Sequence, residues 1–431
     1  MKLEEYPARD QWSTLLQRPT HDQSKIEKIV QPILDKVQRG GDRALKKFAL
    51  EYDHVTLEDL LVSPEELVKS HGVVPQDLKD AIIAAKANIE KFHEAQHTPE
   101  LVMETMPGVL CKRRSVPIQK VGLYVPGGSA PLFSTVLMLG IPARIAGCEE
   151  IIMSSPTDAK GQVNPAVLYT ADLLGIKKIL KLGGAQAIAA MAYGTESVPK
   201  VDKIFGPGNQ YVTVAKQLVS RDTVTIDMPA GPSEVAVFVD KHSNPAFAAS
   251  DLLSQAEHGF DSQVVLVSSS RKMAAAVIAQ IDIQLEALPR KEIAKVALEN
   301  SIAIVTENKA DAIELLNEYA AEHLILQVSN ADEVADQIIN AGSIFIGPYS
   351  PESVGDYASG TNHTLPTSGW ARSTAGVSLD SFVKKITYQK LTAEGLQAIG
   401  SIVETMATHE QLEAHRNAVS IRLQAIREGN V

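Results

Sequence analysis

Val121-Gly122-Leu123-Tyr124-Val125-Pro126-Gly127-Gly128-Ser129 is a short apolar run that stops in a proline-glycine turn. Bounded this way, the run reads as a buried strand feeding a loop. Similar runs recur at residues 150–153, 178–182, 203–205 and 235–239, with helical spacing around 164–174, 185–193 and 209–219 between them. The alternation resumes at 264–267, 302–305, 324–327 and 343–346. Parallel strands need long crossover connections, so strands alternating with helix-length segments predict parallel sheets covered by helices. The two runs meet at Met228-Pro229-Ala230-Gly231-Pro232-Ser233-Glu234, which predicts two α/β domains with a ligand cleft at the junction.

Outside these runs the pattern is helical. Ile26, Ile29, Val30, Ile33, Leu34 and Val37 share one helical face that ends at Gly40-Gly41, and Leu78, Ile82, Ala85, Ile89 and Phe92 form a second stripe after Pro75. From about residue 380 the chain turns helical again, through 395–406 and 410–427, a tail of the kind that packs on a neighbouring subunit.

A length of 431 residues with 45% apolar and 22% charged content suffices for at least one large core. Lys and Arg total 41 against 52 Asp and Glu, and the net charge of -11 argues against nucleic acid and anionic membranes as partners. Cys111 and Cys148 are the only cysteines, so a disulfide framework or a thiolate zinc site is excluded, and both are expected to be buried. The acidic start, Met1-Lys2-Leu3-Glu4-Glu5-Tyr6-Pro7, lacks the pattern of a signal peptide, and no window is apolar enough to span a membrane. A cytoplasmic protein is expected.

Two loops follow strands directly: 124–129, quoted above, and Phe205-Gly206-Pro207-Gly208-Asn209. Glycine there lets backbone amides approach phosphate oxygens. Gly206, Gly208 and the later Asp227 imitate the usual dinucleotide fingerprint, but its third glycine would be Tyr211, too bulky for close helix-strand packing. Any nucleotide here is held in a non-standard way, and a pair of tight turns explains the loops equally well.

Ser254-Gln255-Ala256-Glu257-His258-Gly259 puts Gln255 and His258 three apart at an expected helix end, where the negative end of the dipole suits a cation. A capped helix with a solvated Gln and a surface His is the commoner reading of such a fragment. Glu322-His323 precedes a strand, so its carboxylate and imidazole could serve as two separate bases, pointing different ways. In Gly355-Asp356-Tyr357-Ala358-Ser359-Gly360-Thr361-Asn362-His363, Asp356 offers a hard oxygen ligand and His363 a substrate contact. Glu410 and His415 fall on a helix whose charges are ordinarily just solvated. Gln255, His258, Asp356 and His415 make one N2O2 set for zinc, which spacing alone does not single out. His21, His54, His71, His93, His97 and His242 are assigned to the surface.

These motifs, with Gly183-Gly184-Ala185-Gln186-Ala187-Ile188-Ala189, Lys203-Ile204-Phe205-Gly206-Pro207-Gly208-Asn209 and Ile226-Asp227-Met228-Pro229-Ala230-Gly231-Pro232-Ser233-Glu234, closely resemble the histidinol dehydrogenase family, in the same order from about residue 25 to the end. The resemblance implies an α/β fold of two Rossmann-like domains with parallel sheets flanked by helices. The expected division is 1–25 as an N-terminal extension, 26–125 with 235–378 as a discontinuous first domain, 126–234 as the second, and 379–431 as a helical dimerisation tail. It implies NAD-linked, zinc-dependent oxidation of L-histidinol through L-histidinal to L-histidine, one Zn2+ per subunit, at the end of histidine biosynthesis. Carried over position by position, Gln255, His258, Asp356 and His415 are zinc ligands that also line the substrate site, and Glu322 and His323 are general bases. Ser233, His363 and Glu410 are substrate contacts, joined by His323, and Tyr124, Gln186 and Asn209 contact NAD. The family is a homodimer, so Glu410 and His415 would complete the neighbouring subunit's site. Residues 220–224 look short against some relatives, and Trp370 is unusual. A zinc hydrolase with the same ligands, or a non-catalytic sensor, are the readings that independence from NAD would favour.

Overall fold

The computed structural model describes residues 1–19, 23–127, 130–228 and 231–429. His21, Gly128, Ser129, Pro229 and Ala230, all named above, lie outside them. The chain divides into two compact units, residues 1–95 with 118–382, and residues 96–117 with 383–431.

The larger unit holds two parallel sheets. One contains β1 (Lys2–Glu5), β9 (Glu234–Val239), β10 (Gln263–Ser268), β11 (Ile302–Val305), β12 (His323–Gln327) and β13 (Ser343–Ile346), in the order β1-β11-β10-β9-β12-β13. The other contains β4 (Lys120–Tyr124), β5 (Glu150–Ser154), β6 (Lys178–Leu180), β7 (Lys203–Phe205) and β8 (Thr225–Ile226), in the order β6-β5-β4-β7-β8. From β9 in one sheet and from β4 in the other, the chain builds outward on one side and then returns to the other side of that strand. The switch points therefore fall between β9 and β12 and between β4 and β7.

Strands such as Val235-Ala236-Val237-Phe238-Val239 are apolar on both faces because helices cover both. The helix Gln23–Tyr52 packs on Gly184–Tyr193 and Gln210–Val219, placing Val30, Val37 and Phe48 in one core with Ile188, Met191 and Val212. It bends at Gly41, whose φ of 50° is where the helical stripe was expected to stop. Gln76–Glu94 packs on Phe133–Ala146 over the other face, with Ile82 and Ile89 beside Val121 and Leu123.

Two expected boundaries change as a result. Residues 26–125 do not accompany 235–378, because the N-terminal helices cover the sheet containing β4 and β4 sits at its centre. Nor is 1–25 simply an extension, since β1 pairs with β11 from Lys2↔Ile302 to Glu5↔Val305 and Trp12 is buried.

The smaller unit is an antiparallel sheet, β14-β3-β2, with two helices, Ala393–His409 and Glu413–Arg427. β2 is Leu101–Met106, β3 is Val109–Pro117 and β14 is Val383–Leu391. Residues 379–431 are thus not purely helical. β14 escapes a pattern reading because Val383-Lys384-Lys385-Ile386-Thr387-Tyr388 lacks two-residue alternation. Leu101, Val102 and Met103 on β2, and Ile402, Met406 and Ile421 on the helices, are exposed. Among the described residues no helix is long and apolar enough to cross a membrane.

Candidate active site

The glycine loops lie at the carboxyl ends of β4 and β7, on either side of a switch point, where open α/β sheets bind ligands. Tyr124 is buried, and its hydroxyl accepts the Gly184 amide at 3.0 Å. Burial raises its pKa to about 12. Gln186, also buried, follows on the same helix. Asn209 caps the helix Gln210–Val219, its Oδ1 accepting the amides of Tyr211 and Val212 at 3.1 Å each. Gly206 has φ 116° and faces the Tyr124 carbonyl so closely that no side chain fits.

Asp227 belongs to this loop rather than to any ribose. Its Oδ2 accepts the Gly206 amide at 2.8 Å, and its Oδ1 meets the Lys216 ammonium at 2.5 Å. Both side chains are almost fully buried, and Lys216 also donates to the Gly206 carbonyl at 2.8 Å. Lys216→Met would leave a carboxylate buried without its counter-charge, so we expect unfolding in urea to show a loss of about 3–5 kcal/mol. A loss under about 1 kcal/mol would mean that the pair is dispensable.

The second cluster forms at the amino-terminal edges of β9 and β12. The helix Pro245–Ala256 returns from β9 to this edge and carries Gln255 in its last turn. Glu257 is the C-cap, so His258 stands just beyond the helix, followed by Gly259. Gln255 is buried, His258 exposed, with Nδ1 3.4 Å from Ser233 Oγ. Gln255 Nε2 lies 3.4 Å from His323 Nδ1. Glu322 and His323 do not diverge as the sequence suggested, since Glu322 Oε2 lies 3.6 Å from His323 Nδ1. His323 Nε2 faces Asp356 Oδ1 at 3.4 Å. His363 Nδ1 bonds the Asp356 carbonyl at 3.0 Å, and its Nε2 lies 3.3 Å from Thr135 Oγ1 on the helix that follows β4. One compact cluster thus brings together Ser233, Gln255, His258, Glu322, His323, Asp356 and His363.

Comparison with known proteins decides the family. The histidinol dehydrogenase family model matches residues 16–423. A histidinol dehydrogenase of Bacteroides thetaiotaomicron is 55% identical over 427 residues, covering 99% of this chain and 100% of that one. That of Escherichia coli (strain K12) is 50% identical over 422 residues, with 97% and 96% covered. The crystal structure of histidinol dehydrogenase from Elizabethkingia anophelis superposes with a TM-score of 0.97 at 50% identity, covering 99% of both chains. The chain belongs to the histidinol dehydrogenase family.

Within this member of the histidinol dehydrogenase family the cluster is electrostatically tense. Burial works to depress His323, but Glu322 and Asp356 outweigh it and hold the imidazole well above its ordinary value. Engagement of the Asp356 charge elsewhere would remove one of the influences that raise it. Burial works to raise Asp356, but His323, His363 and His258 bring it below the usual carboxylate range. His363 is depressed, mainly by burial. Behind them, burial raises Glu352 to about 8 and Asp251 to about 7.

The donor set suits a borderline divalent cation: a neutral amide oxygen, an imidazole and a carboxylate. Gln255 Oε1 is buried without a hydrogen-bond partner, a cost of about 1–3 kcal/mol that a cation would relieve. The end of the helix Pro245–Ala256 adds its negative dipole. Among the described residues no group of three or more His, Cys, Asp or Glu is arranged to hold a metal. His415, expected as the fourth zinc ligand, and Glu410, expected as a substrate contact, belong to the smaller unit and are exposed, Glu410 as the C-cap of Ala393–His409 and His415 in Glu413–Arg427.

Several smaller expectations are corrected. His93 is not a surface residue but fully buried, bonded through Nδ1 to the Ile89 carbonyl at 2.8 Å and facing Asn362 Nδ2 at 3.3 Å. Cys111 and Cys148 are free and only half-buried. Sequence reasoning missed Glu352, which accepts a hydrogen bond from Ser254 Oγ, and Asp251, which accepts one from Gln327 Nε2 at 2.6 Å. An acid at a helical core position, as Asp251 is beside Leu252 and Leu253, was the available signal.

Proposed function

We propose that this chain oxidises L-histidinol through L-histidinal to L-histidine, using two NAD and one zinc ion per subunit, as the last steps of histidine biosynthesis. Gln255, His258 and Asp356 hold the zinc together with His415 of a neighbouring subunit in a homodimer. The observation that supports this most is the buried, partnerless Gln255 Oε1 beside the Glu322-His323 pair. When bound, zinc would gather the substrate's imidazole and amine and NAD would accept the hydrides.

The chain's own groups supply the rest. His323 takes the alcohol proton in the first oxidation. Glu322 then deprotonates the water that adds to the aldehyde carbon, and His323 assists the second proton loss. Ser233, His363 and the neighbour's Glu410 position the substrate. Tyr124, Gln186 and Asn209 line the cofactor's place at the β4/β7 crevice. Keeping the amino-aldehyde in the site prevents its escape into water.

Chromatographic detection of histidine from histidinol, formed only when NAD is present, tests the reading. Turnover of an amide or ester without NAD would favour the hydrolase instead. The shared site has its own test, in which His258→Asn and His415→Asn subunits, each inactive, are mixed and re-associated. Half of the dimers are then hybrids with one intact site of two, so about one quarter of wild-type activity should return. No recovery would place His415 in its own subunit's site or outside the site.

A further inference from the structure

We infer that Arg18 is a positioning residue for the Glu322-His323 pair, acting through Glu234. This rests on the reading of that pair as the bases. A single residue holds both of them by its main chain: the Glu234 amide donates to Glu322 Oε2 at 2.9 Å, and the Glu234 carbonyl lies 3.4 Å from His323 Nδ1. How firmly the pair is held therefore depends on how firmly Glu234, the first residue of β9, is fixed.

Its side chain is buried and anchored by Arg18. Nε and Nη2 of Arg18 meet the two carboxylate oxygens at 2.5 and 3.2 Å, a bidentate fork that only a guanidinium makes. Arg18 is itself clamped, since Nη2 also donates to the Tyr319 carbonyl at 2.6 Å and the guanidinium lies 4.2 Å from the centre of the Tyr319 ring. The Tyr319 hydroxyl is 3.3 Å from Glu234 Oε2 and 3.0 Å from Gln263 Oε1, and Gln263 Nε2 binds the Gln17 carbonyl at 3.0 Å. The network closes on the segment that carries Arg18. Its side chain is 19% exposed against 3% for Glu234, so a cation from the N-terminal segment neutralises a carboxylate that would otherwise be buried alone behind the bases. Burial pushes Glu234 upward, and Arg18 opposes that push.

Loss of this anchor loosens the orientation of the bases without touching the zinc ligands or the cofactor loops. In the zinc-loaded full-length protein, Arg18→Met should lower kcat for histidinol and for histidinal about tenfold or more, with KM for histidinol and NAD changed less than about threefold. Arg18→Lys should recover part of the rate, and added methylguanidinium should raise the kcat of Arg18→Ala. Tyr319→Phe, which leaves the fork intact, should lower kcat by about threefold and decides the matter where the Arg18 variants do not fold. A lowered melting temperature with kcat within about twofold of wild type, or no response to methylguanidinium, would reduce Arg18 to a structural staple and overturn the inference. Glu322→Gln and His323→Asn are measured alongside. If they lose activity while the Arg18 variants and Tyr319→Phe keep it, this inference alone fails. If they too keep wild-type kcat, the assignment of the bases fails and takes the inference with it.

Discussion

Glu322→Gln should retain most of the first oxidation and lose the second by about 10^2 to 10^4-fold, the range that removing a general base ordinarily costs. The substitution is nearly isosteric. A glutamine oxygen can still accept the Glu234 amide that now binds Glu322 Oε2 at 2.9 Å, so the edge of β12 should keep its form. What disappears is the negative charge 3.6 Å from His323 Nδ1 and the ability to take a proton from water. Only aldehyde oxidation needs water added to the carbon, so the two half-reactions should separate when histidinol and histidinal are supplied in turn. Equal loss of both would contradict the division of labour between the pair.

His258→Asn should lose zinc and activity together, with kcat falling by about 10^3-fold or more. The imidazole stands beyond the helix end with Ser233 Oγ 3.4 Å from Nδ1. Asparagine is too short to reach the same place from the same backbone. Elemental analysis of the dialysed variant should show far less than one zinc per subunit. One full equivalent retained would remove His258 from the ligand set.

Much of the architecture was legible because parallel sheets buried on both faces announce themselves as continuous apolar runs. Val235 to Val239 and Ile302 to Val305 are of that kind, and both are strands. Which helices cover which sheet was not legible. Nothing in the stripe of Ile26, Val30 and Val37 records that its partner is the helix Gly184–Tyr193, so the N-terminal helices were assigned to the wrong sheet. β1, β3 and β14 were missed because edge strands and exposed sheets carry polar residues where a pattern reading looks for alternation, and β2, whose Leu101-Val102-Met103 is apolar but exposed, has no alternation either.

At the site, motif resemblance carried what spacing could not. Gln255 and His258 were visible as a pair, but their nearness to Asp356, on the short helix Glu352–Tyr357, and to Glu322-His323, at the start of β12, depends on segments 98 and 64 residues farther along, counting from His258 to Asp356 and to Glu322. The supporting layer was invisible for a related reason. Arg18 reaches Glu234 across 216 residues, and a lone arginine in an N-terminal segment reads as a solvated charge.

The central claim is that one site performs two successive oxidations of one substrate. Counting NADH formed per histidinol consumed, by absorbance in the zinc-loaded enzyme at limiting histidinol, tests it most directly. The account predicts two NADH per histidinol with histidine as the product. One NADH per histidinol, with histidinal accumulating, or none at all, would contradict it.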